Sequence, residues 1–255
     1  MKADLAVIGG TGVYKADMLV KTRDLEIETR YGKANLLIGS YAGRDVAFLA
    51  RHGKGHSVPP HLINYRANIQ ALKELGVKRI IATAAVGSLQ LEMAPLDFVI
   101  LDQFLDFTKV RKSTFFEGGP EGVQHIDVTV PYCPQLSSFL YDKAVQLGIK
   151  THAKGCYVCM EGPRYETPAE IKMLQILGGD VVGMTNVPEV VLAREAGICY
   201  ATVAMVTNYA AGIAPSKLCH NEVVDVMQQL SENISRLIMT TLAEVPLEEG
   251  CNCCQ

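Results

Sequence analysis

The sequence lacks any uninterrupted apolar run of about 18 residues, the length that a membrane-spanning helix requires. It also lacks a charge excess, because 24 Lys and Arg residues stand against 27 Asp and Glu residues, for a formal net charge of -3. No signal-peptide pattern opens the chain, since residues 1–10 are typical of a strand that enters a glycine turn. We therefore expect a cytoplasmic protein that binds neither nucleic acid nor membrane.

Hydrophobic residues make up 49% and charged residues 20% of the 255 residues, values that exclude a disordered or fibrous chain. The eight cysteines would indicate disulfides in a small secreted domain, but in a chain of this length without a signal peptide we expect reduced core residues. Cys156 and Cys159 form a C-x-x-C inside a strand pattern. Redox pairs of this spacing usually open a helix, so we expect this pair to pack in the core.

Short apolar segments rich in Val, Ile and Ala alternate with segments of helical spacing, which predicts a single α/β domain with a mixed central sheet covered by helices. Thr167, Pro168 and Glu170 form a capping box that begins one of the helices. The predicted strands are 5–13, 46–50, 78–86, 97–102, 152–160 and 198–207. The predicted helices are 61–75, 136–147, 188–196, 221–242 and one that begins at 168.

Three turns in this pattern are suited to an anion. Thr11 lies in a glycine turn after the first strand, Arg51 and His52 follow the second strand, and Thr185 stands beside a helix N-terminus. A guanidinium binds an oxyanion through two parallel hydrogen bonds, and an adjacent imidazole or hydroxyl adds a donor. The alternatives are a plain tight turn, a solvated basic loop, or zinc bound by His52 and His56. The glycines between these two histidines argue against zinc.

A second group of residues suits a planar heterocycle. Tyr165 and Glu166 follow a Gly-Pro turn and stand just before the helix cap at Thr167. An aromatic ring can stack on a base, and a carboxylate can accept hydrogen bonds from ring N–H groups.

Five motifs together closely resemble the family of purine nucleoside phosphorylases and methylthioadenosine phosphorylases. They are residues 8–12, 51–53, 64–68, 161–164 and 184–200. The resemblance implies one domain with a distorted, barrel-like sheet, assembled as a homotrimer or a dimer of trimers. It also implies phosphorolysis, in which a purine nucleoside and inorganic phosphate give free base and pentose 1-phosphate, with neither a metal nor an organic cofactor.

The same resemblance assigns roles to individual residues. Met184 would pack against the ribose. Asn208, at the end of a strand, would donate a hydrogen bond to the purine as the glycosidic bond breaks, and we expect it to act in catalysis with His52 and Arg51. The phosphate site would consist of Thr11, Arg51, His52, Ala84, Ala85 and Thr185. The family's adenine enzymes usually carry a Thr in place of Ala84, so a hydroxyl contact is lost there.

Two positions predict which base is bound. The family's adenine branch carries Asp at the sites of Asn208 and Ala210 and a small hydroxyl residue at the site of Glu166. An Asn amide can donate to N7 and O6 of a 6-oxopurine, and the Glu166 carboxylate can accept from its N1–H, a hydrogen that adenine lacks. We therefore expect a 6-oxopurine.

The 5′ end of the nucleoside is predicted by the start of the last helix. The resemblance places Val223 where ordinary purine nucleoside phosphorylases have a histidine, with Val226 and Met227 one turn on and His125 contributed by a neighbouring subunit. An apolar wall suits a methylthio group, so methylthioinosine is the favoured substrate. The alternatives are a general inosine and guanosine phosphorylase, a methylthioadenosine phosphorylase, or a catalytically silent nucleoside sensor.

We place the domain at residues 1–246 and a cysteine-containing tail at 247–255. The tail carries Cys251, Cys253 and Cys254, which cannot all be core residues. They resemble a terminal Cys-x-Cys of heat-stable family members, which would allow a disulfide. A charged fraction of 20% is not typical of a hyperthermophile, and we expect reduced, flexible thiols.

Overall fold

The computed structural model describes residues 2–9, 19–214, 220–247, 251 and 253. Within them the chain forms eleven strands and five α-helices. The strands are β1 (Leu5–Gly9), β2 (Val20–Thr29), β3 (Gly32–Tyr41), β4 (Arg44–Ala50), β5 (Arg79–Ser88), β6 (Phe98–Ile100), β7 (Gln103–Phe107), β8 (Thr151–His152), β9 (Cys156–Met160), β10 (Val181–Gly183) and β11 (Cys199–Tyr209). The helices are α1 (Tyr65–Glu74), α2 (Pro134–Gln146), α3 (Pro168–Ile176), α4 (Asn186–Glu195) and α5 (His220–Glu244).

All eleven strands belong to one mixed sheet that branches at β5. The main path runs β2-β3-β4-β1-β5-β10-β9-β7, and β11 pairs with β5 and β6 beside it. Strands β4, β1, β5 and β11 are parallel to one another, so their carboxyl ends meet at one edge. Open α/β sheets bind ligands at such an edge.

Helices cover both faces of the central strands, as the sequence predicts. Along β1, Ala6 and Ile8 belong to a core that includes residues of α1 and α4. Leu5 and Val7 alternate with them and belong to a second core with residues of α2 and α5. A strand buried on both faces needs apolar residues at every position, which explains its continuous run of Leu, Ala, Val and Ile.

The structure differs from the predicted elements in several places. Strands β7 and β10 were not predicted, and residues 10–13 of the first predicted strand lie outside the described residues. The β2–β3 hairpin was not predicted, because β2 is exposed along most of its length and carries charged residues instead of an apolar run. Helix α1 begins at Tyr65 instead of residue 61, since the Asn64 side chain caps it by accepting from the Ala67 amide at 3.1 Å. The predicted strand 152–160 is divided into β8 and β9 around Gly155, where a Cβ would lie 2.4 Å from Val99 Cγ1.

Other predictions about local structure are confirmed. The capping box of α3 is present, with Glu170 N donating to Thr167 Oγ1 and Thr167 N to the Glu170 carboxylate. Of the C-x-x-C pair, Cys159 is buried in the core, and burial raises the pKa of its thiol to about 12. Cys156 is only half-buried, so the prediction of core packing holds for Cys159 alone. In the described part of the chain, no helix is both long and apolar enough to cross a bilayer.

The tail departs from the prediction of flexible thiols. Cys251 and Cys253 are half-buried and pack against the core formed with α2 and α5. Neither is part of a disulfide, and Cys254 lies outside the described residues. These two cysteines therefore belong to the packed molecule.

Candidate active site

A cleft opens at the edge where the parallel strands end, with a cavity volume of about 170 Å³. Its walls come from the segments that follow β4, β9 and β10, from the carboxyl-terminal halves of β5 and β11, and from the start of α5. The lining residues are Arg51, His52, His56, Pro60, Ala84, Ala85, Val86, Gly87, Tyr165, Glu166, Val182, Gly183, Met184, Thr185, Thr207, Asn208, Ala210 and Val223.

The cleft brings together most of the residues that the sequence singled out. Val226, Met227 and His125 are not among its lining residues. Thr11 lies outside the described residues, although Gly9, two positions before it, accepts a hydrogen bond from the Arg51 amide at 3.3 Å.

Arg51 is buried and held by an ion pair. Its Nε donates to Glu189 Oε2 at 3.0 Å and its Nη2 to Glu189 Oε1 at 2.6 Å. Nη1 donates to the Thr83 carbonyl at 2.6 Å, and Nη2 makes a long contact of 3.5 Å with the Ile8 carbonyl. The two parallel hydrogen bonds expected for phosphate are made to Glu189 in this structure, so the role of Arg51 at a phosphate site stays a prediction. The Glu189 carboxylate occupies that position, and four of the five guanidinium N–H donors are committed to protein oxygens.

The Arg51–Glu189 pair has further support. Burial lowers the pKa of Arg51, but the adjacent Glu189 carboxylate outweighs this effect and raises the pKa above its ordinary value. The Tyr200 hydroxyl donates to Glu189 Oε1 at 2.7 Å. The pair thus holds a permanent guanidinium at the wall of the cleft, with its charge largely balanced by Glu189.

His52 is neutral at ordinary pH. Burial lowers its pKa to about 4, and the Arg51 charge acts in the same direction. Nδ1 lies 2.9 Å from the Val58 carbonyl, which can only accept, so Nδ1 carries the proton and Nε2 is left as an acceptor. The expectation that the imidazole donates to an anion therefore needs correction: the neutral ring has no second donor. Its plane is tilted by 31° to that of His56, with the ring centroids 4.2 Å apart.

Thr185 is buried at the N-cap of α4, next to Met184. Its side chain makes no capping hydrogen bond, and its amide donates to the Tyr157 hydroxyl at 3.0 Å. Ala85 is the one exposed residue of β5 within the sheet, because its side faces the cleft. A helix N-terminus, a hydroxyl and an open stretch of strand thus line the part of the cleft next to Arg51.

Tyr165 and Glu166 lie between β9 and α3. Glu166 is 8% exposed, and burial raises the pKa of its carboxyl group. Tyr165 is 40% exposed and gives the cleft an aromatic wall. A buried carboxylate in a partly apolar cleft is costly unless a ligand donor meets it, which makes Glu166 a candidate acceptor for a bound ligand.

Asn208 is positioned by a bulge in β11. The register with β5 shifts between Val206 and Asn208, and such a bulge turns the following side chain relative to the regular alternation. Asn208 Nδ2 donates to the Tyr209 carbonyl at 2.9 Å, and its Oδ1 accepts from the Thr207 hydroxyl at 2.8 Å. One Nδ2 hydrogen remains for a ligand. Gly87 lies opposite, and a Cβ there would stand 3.2 Å from Asn208 Nδ2, a tight contact that the amide would have to relieve.

The last helix contributes one of its three predicted residues to the cleft. Val223 lines it, whereas Met227 is buried in the core with α2 and Val226 packs against that core. Val226 and Met227 follow Val223 by three and four positions on the same side of α5, but neither lines the cleft, so their role as pocket residues stays a prediction. His125 is exposed in the loop before α2 and does not reach the cleft of its own chain.

Comparison with known proteins identifies the family of this chain. The sequence profile of the Phosphorylase superfamily matches residues 4–243. The chain belongs to this superfamily. It is 57% identical over 249 residues to a probable 6-oxopurine nucleoside phosphorylase of Dictyoglomus turgidum, covering 98% of this chain and 94% of that protein. It is 48% identical over 251 residues to a probable S-methyl-5'-thioinosine phosphorylase of Methanothermobacter thermautotrophicus, covering 98% and 87%.

The fold of this phosphorylase is also that of a solved relative. The crystal structure of a methylthioadenosine phosphorylase from an antarctic soil metagenomic library superposes with a TM-score of 0.93 at 40% identity. The match covers 99% of this chain and 90% of that one.

Sequence reasoning missed several residues of the phosphorylase site. Glu189 lies inside the motif at residues 184–200, but the sequence alone assigns it no function. Its role as the partner of Arg51, 138 positions away, is visible only in the structure. The sequence predicts Thr207 only as the end of a strand. A hydroxyl directly before Asn208 could have indicated a side chain that orients the Asn208 amide. The walls formed by Gly87 and Val182 carry no chemical signal in the sequence.

Proposed function

We propose that this phosphorylase cleaves a 6-oxopurine nucleoside with inorganic phosphate, giving the free base and pentose 1-phosphate. The observation that carries the proposal is that one cleft holds Glu166 and Asn208, which suit a 6-oxopurine, together with Thr185, His52 and Arg51, which suit phosphate. The reaction calls for no metal and no organic cofactor, since phosphate itself is the nucleophile.

At the phosphate end, the helix N-terminus and hydroxyl of Thr185 act with the backbone at Ala84 and Ala85. Arg51 supplies fixed positive charge and at most one direct N–H donor. His52 accepts a hydrogen bond through Nε2, which fits the P–OH of monohydrogen phosphate. Thr11 remains part of this proposal through the family resemblance alone.

At the base end, the bond to the sugar breaks as positive charge develops on the ribose and electrons move into the purine. Bound phosphate stabilises the first charge, and the Asn208 amide stabilises the second by donating to N7 or O6. The Glu166 carboxylate accepts from N1–H and so favours a 6-oxopurine over adenine. Ala210 and Tyr165 complete the base pocket, and Met184 packs against the ribose.

The 5′ group is assigned from Val223. Its apolar side chain lines the cleft, so a 5′-hydroxyl would gain no hydrogen bond from this residue, whereas a methylthio group would make apolar contact. We therefore propose methylthioinosine as the preferred substrate. A general inosine and guanosine phosphorylase is the second candidate, favoured by the 57% identity to the Dictyoglomus protein.

We further infer that the enzyme is a cytoplasmic homotrimer or dimer of trimers in which His125 of the partner subunit completes the 5′ end. Its exposure in the loop before α2 supports this inference. A His125→Ala variant should keep the assembly size measured by light scattering and raise the KM for nucleoside. An unchanged KM would remove His125 from the site.

The proposal is tested by base release. Purified enzyme should release hypoxanthine from methylthioinosine only when phosphate is present, with methylthioribose 1-phosphate as the second product. Glu166→Gln should lower kcat/KM for methylthioinosine by roughly 10–100-fold, because one hydrogen bond to a charged group is lost. The exposed Glu232→Gln variant serves as the matched control. Nucleoside binding without base release would instead indicate a silent sensor.

A further inference from the structure

Four cysteines from three distant parts of the chain meet at the end of the sheet opposite the cleft. Cys133 is the N-cap of α2, Cys199 is the first residue of β11, and Cys251 and Cys253 come from the tail. Their four Sγ atoms all lie within 4.8 Å of one another. Cys133 Sγ lies 3.3 Å from Cys251 Sγ, and Cys199 Sγ lies 3.8 Å from Cys253 Sγ.

These separations match the requirements of one tetrahedral metal ion. With a Zn–S bond of about 2.3 Å, the sulfurs of a regular tetrahedron stand about 3.8 Å apart. Four thiolates in a tetrahedron are the usual donor set of a structural zinc site. Two ligands in a Cys-x-Cys and two on separate elements would close the metal off from solvent.

Two of the four sulfurs are oriented by backbone hydrogen bonds. Backbone amides donate to two of the sulfurs, Leu136 N to Cys133 Sγ at 3.5 Å and Cys253 N to Cys251 Sγ at 3.2 Å. Such outer hydrogen bonds orient ligands and offset their negative charge. The N-cap position of Cys133 also places its sulfur at the positive end of the α2 dipole.

A buried cation stands on the same side of the sheet. Arg79 pairs with Cys199 in the parallel register of β5 and β11, so the two side chains lie on one face. Arg79 is buried and its guanidinium lies 3.4 Å from Gln135 Oε1 at the start of α2, two residues after Cys133. A zinc ion with four thiolates carries two net negative charges, which a nearby guanidinium would partly balance.

We propose that Cys133, Cys199, Cys251 and Cys253 bind one structural zinc ion that ties the tail to α2 and β11. Binding converts four thiols to thiolates and releases their protons, with no change in oxidation state. The site is not catalytic, because Asn208 lies nine positions after Cys199 along β11, a span of roughly 30 Å. A structural zinc ion at this distance from the cleft leaves unchanged the expectation that phosphorolysis itself uses no metal.

Metal content is the first test. The full-length enzyme, made with zinc supplied and purified under a thiol reductant without chelators, should contain about one zinc per chain by mass spectrometric metal analysis. Cys253→Ser should lower the zinc content well below one per chain. Cys156→Ser, a half-buried cysteine outside the cluster, is the matched control and should keep it.

Visible spectroscopy and intact mass distinguish a zinc site from an iron site and from disulfides. Cobalt exchanged into the protein should show the intense visible bands of tetrahedral thiolate coordination, and these should vanish in Cys253→Ser and persist in Cys156→Ser. Trace metal in the unmodified enzyme, one iron per chain, or an intact mass showing the four cysteines joined in two disulfides would each overturn the proposal.

Discussion

At the scale of single residues, the hydroxyl of Thr185 offers the cleanest test of the phosphate site. Thr185→Val keeps the shape and removes one donor to an anion, so the KM for phosphate should rise by roughly 10–100-fold. The KM for nucleoside should change little. Steady-state kinetics with varied phosphate measures both values, and Thr151→Val, a half-buried threonine of β8, is the matched control. An unchanged phosphate KM would place the anion elsewhere in the cleft.

Arg51 calls for a different prediction, because its main partner is Glu189 instead of a ligand. Arg51→Ala would leave the Glu189 carboxylate buried and unpaired, which costs about 3–5 kcal/mol of unfolding free energy. The double variant Arg51→Ala/Glu189→Ala should lose less than the sum of the two single variants. Urea unfolding measures these free energies. Additive losses would mean that the two side chains do not interact as the structure shows.

The residue scale also shows the limit of sequence reasoning. Arg51, His52 and Thr185 were found because charged and hydroxyl residues in glycine-rich turns are conspicuous. Whether Arg51 would face an anion or a carboxylate could not be foreseen, since Glu189 lies on a helix 138 positions further along. The hydrogen-bonding state of His52 likewise depends on the Val58 carbonyl, a backbone atom without any sequence signal.

At the scale of elements, the bulge in β11 makes a prediction through Gly87. Gly87→Ala would place a Cβ 3.2 Å from Asn208 Nδ2, so the amide must shift by a few tenths of an ångström. We expect kcat for nucleoside cleavage to fall roughly 10-fold, because the donor to the base is misplaced. In an Asn208→Ala background the same substitution should have little further effect. An equal loss in both backgrounds would show that Gly87 acts by another route.

The elements that the sequence predicts correctly are the buried strands of the sheet and the helices with a regular apolar face. β1 carries an unbroken apolar run, the runs of β5 and β11 are interrupted by Thr83 and Thr202, and α5 carries a regular apolar stripe. The β2–β3 hairpin lies at the sheet edge with most of β2 exposed, so alternation was obscured by charged residues. Val226 and Met227 were assigned to the cleft because a stripe alone does not say which part of it faces a ligand.

At the scale of the whole molecule, His52 couples folding to pH. Its pKa is lowered to about 4 in the folded chain, against about 6.5 when unfolded. Between these values the unfolded chain binds a proton that the folded chain does not, so this group's contribution to stability is lost as pH falls from about 6.5 toward 4. Thermal unfolding of His52→Gln across this range should depend less steeply on pH than that of the unmodified enzyme.

The pH dependence of His52→Gln must be compared with that of the unmodified enzyme, because Glu166 changes stability with pH in the opposite direction. Burial raises the pKa of Glu166, so its contribution to stability improves as pH falls. The exposed Glu232→Gln variant, which lies outside the cleft, is the control and should follow the unmodified enzyme. If His52→Gln followed it as well, the buried neutral state of His52 would be contradicted.

Residue patterns alone do not show which distant segments of the chain meet in one site. The cleft joins residues 51 to 223, and the family resemblance anticipated most of that set. The four-cysteine cluster was not anticipated, since a tail position says nothing about packing against α2 and β11.

The measurement that tests the central claim most directly compares kcat/KM for methylthioinosine and methylthioadenosine at saturating phosphate. The two nucleosides differ at the purine edge that Glu166 and Asn208 are proposed to read. A 6-aminopurine leaves the Glu166 carboxylate facing an acceptor nitrogen, so methylthioinosine should be favoured by on the order of 10³-fold or more. A preference for methylthioadenosine would contradict the assignment of a 6-oxopurine site.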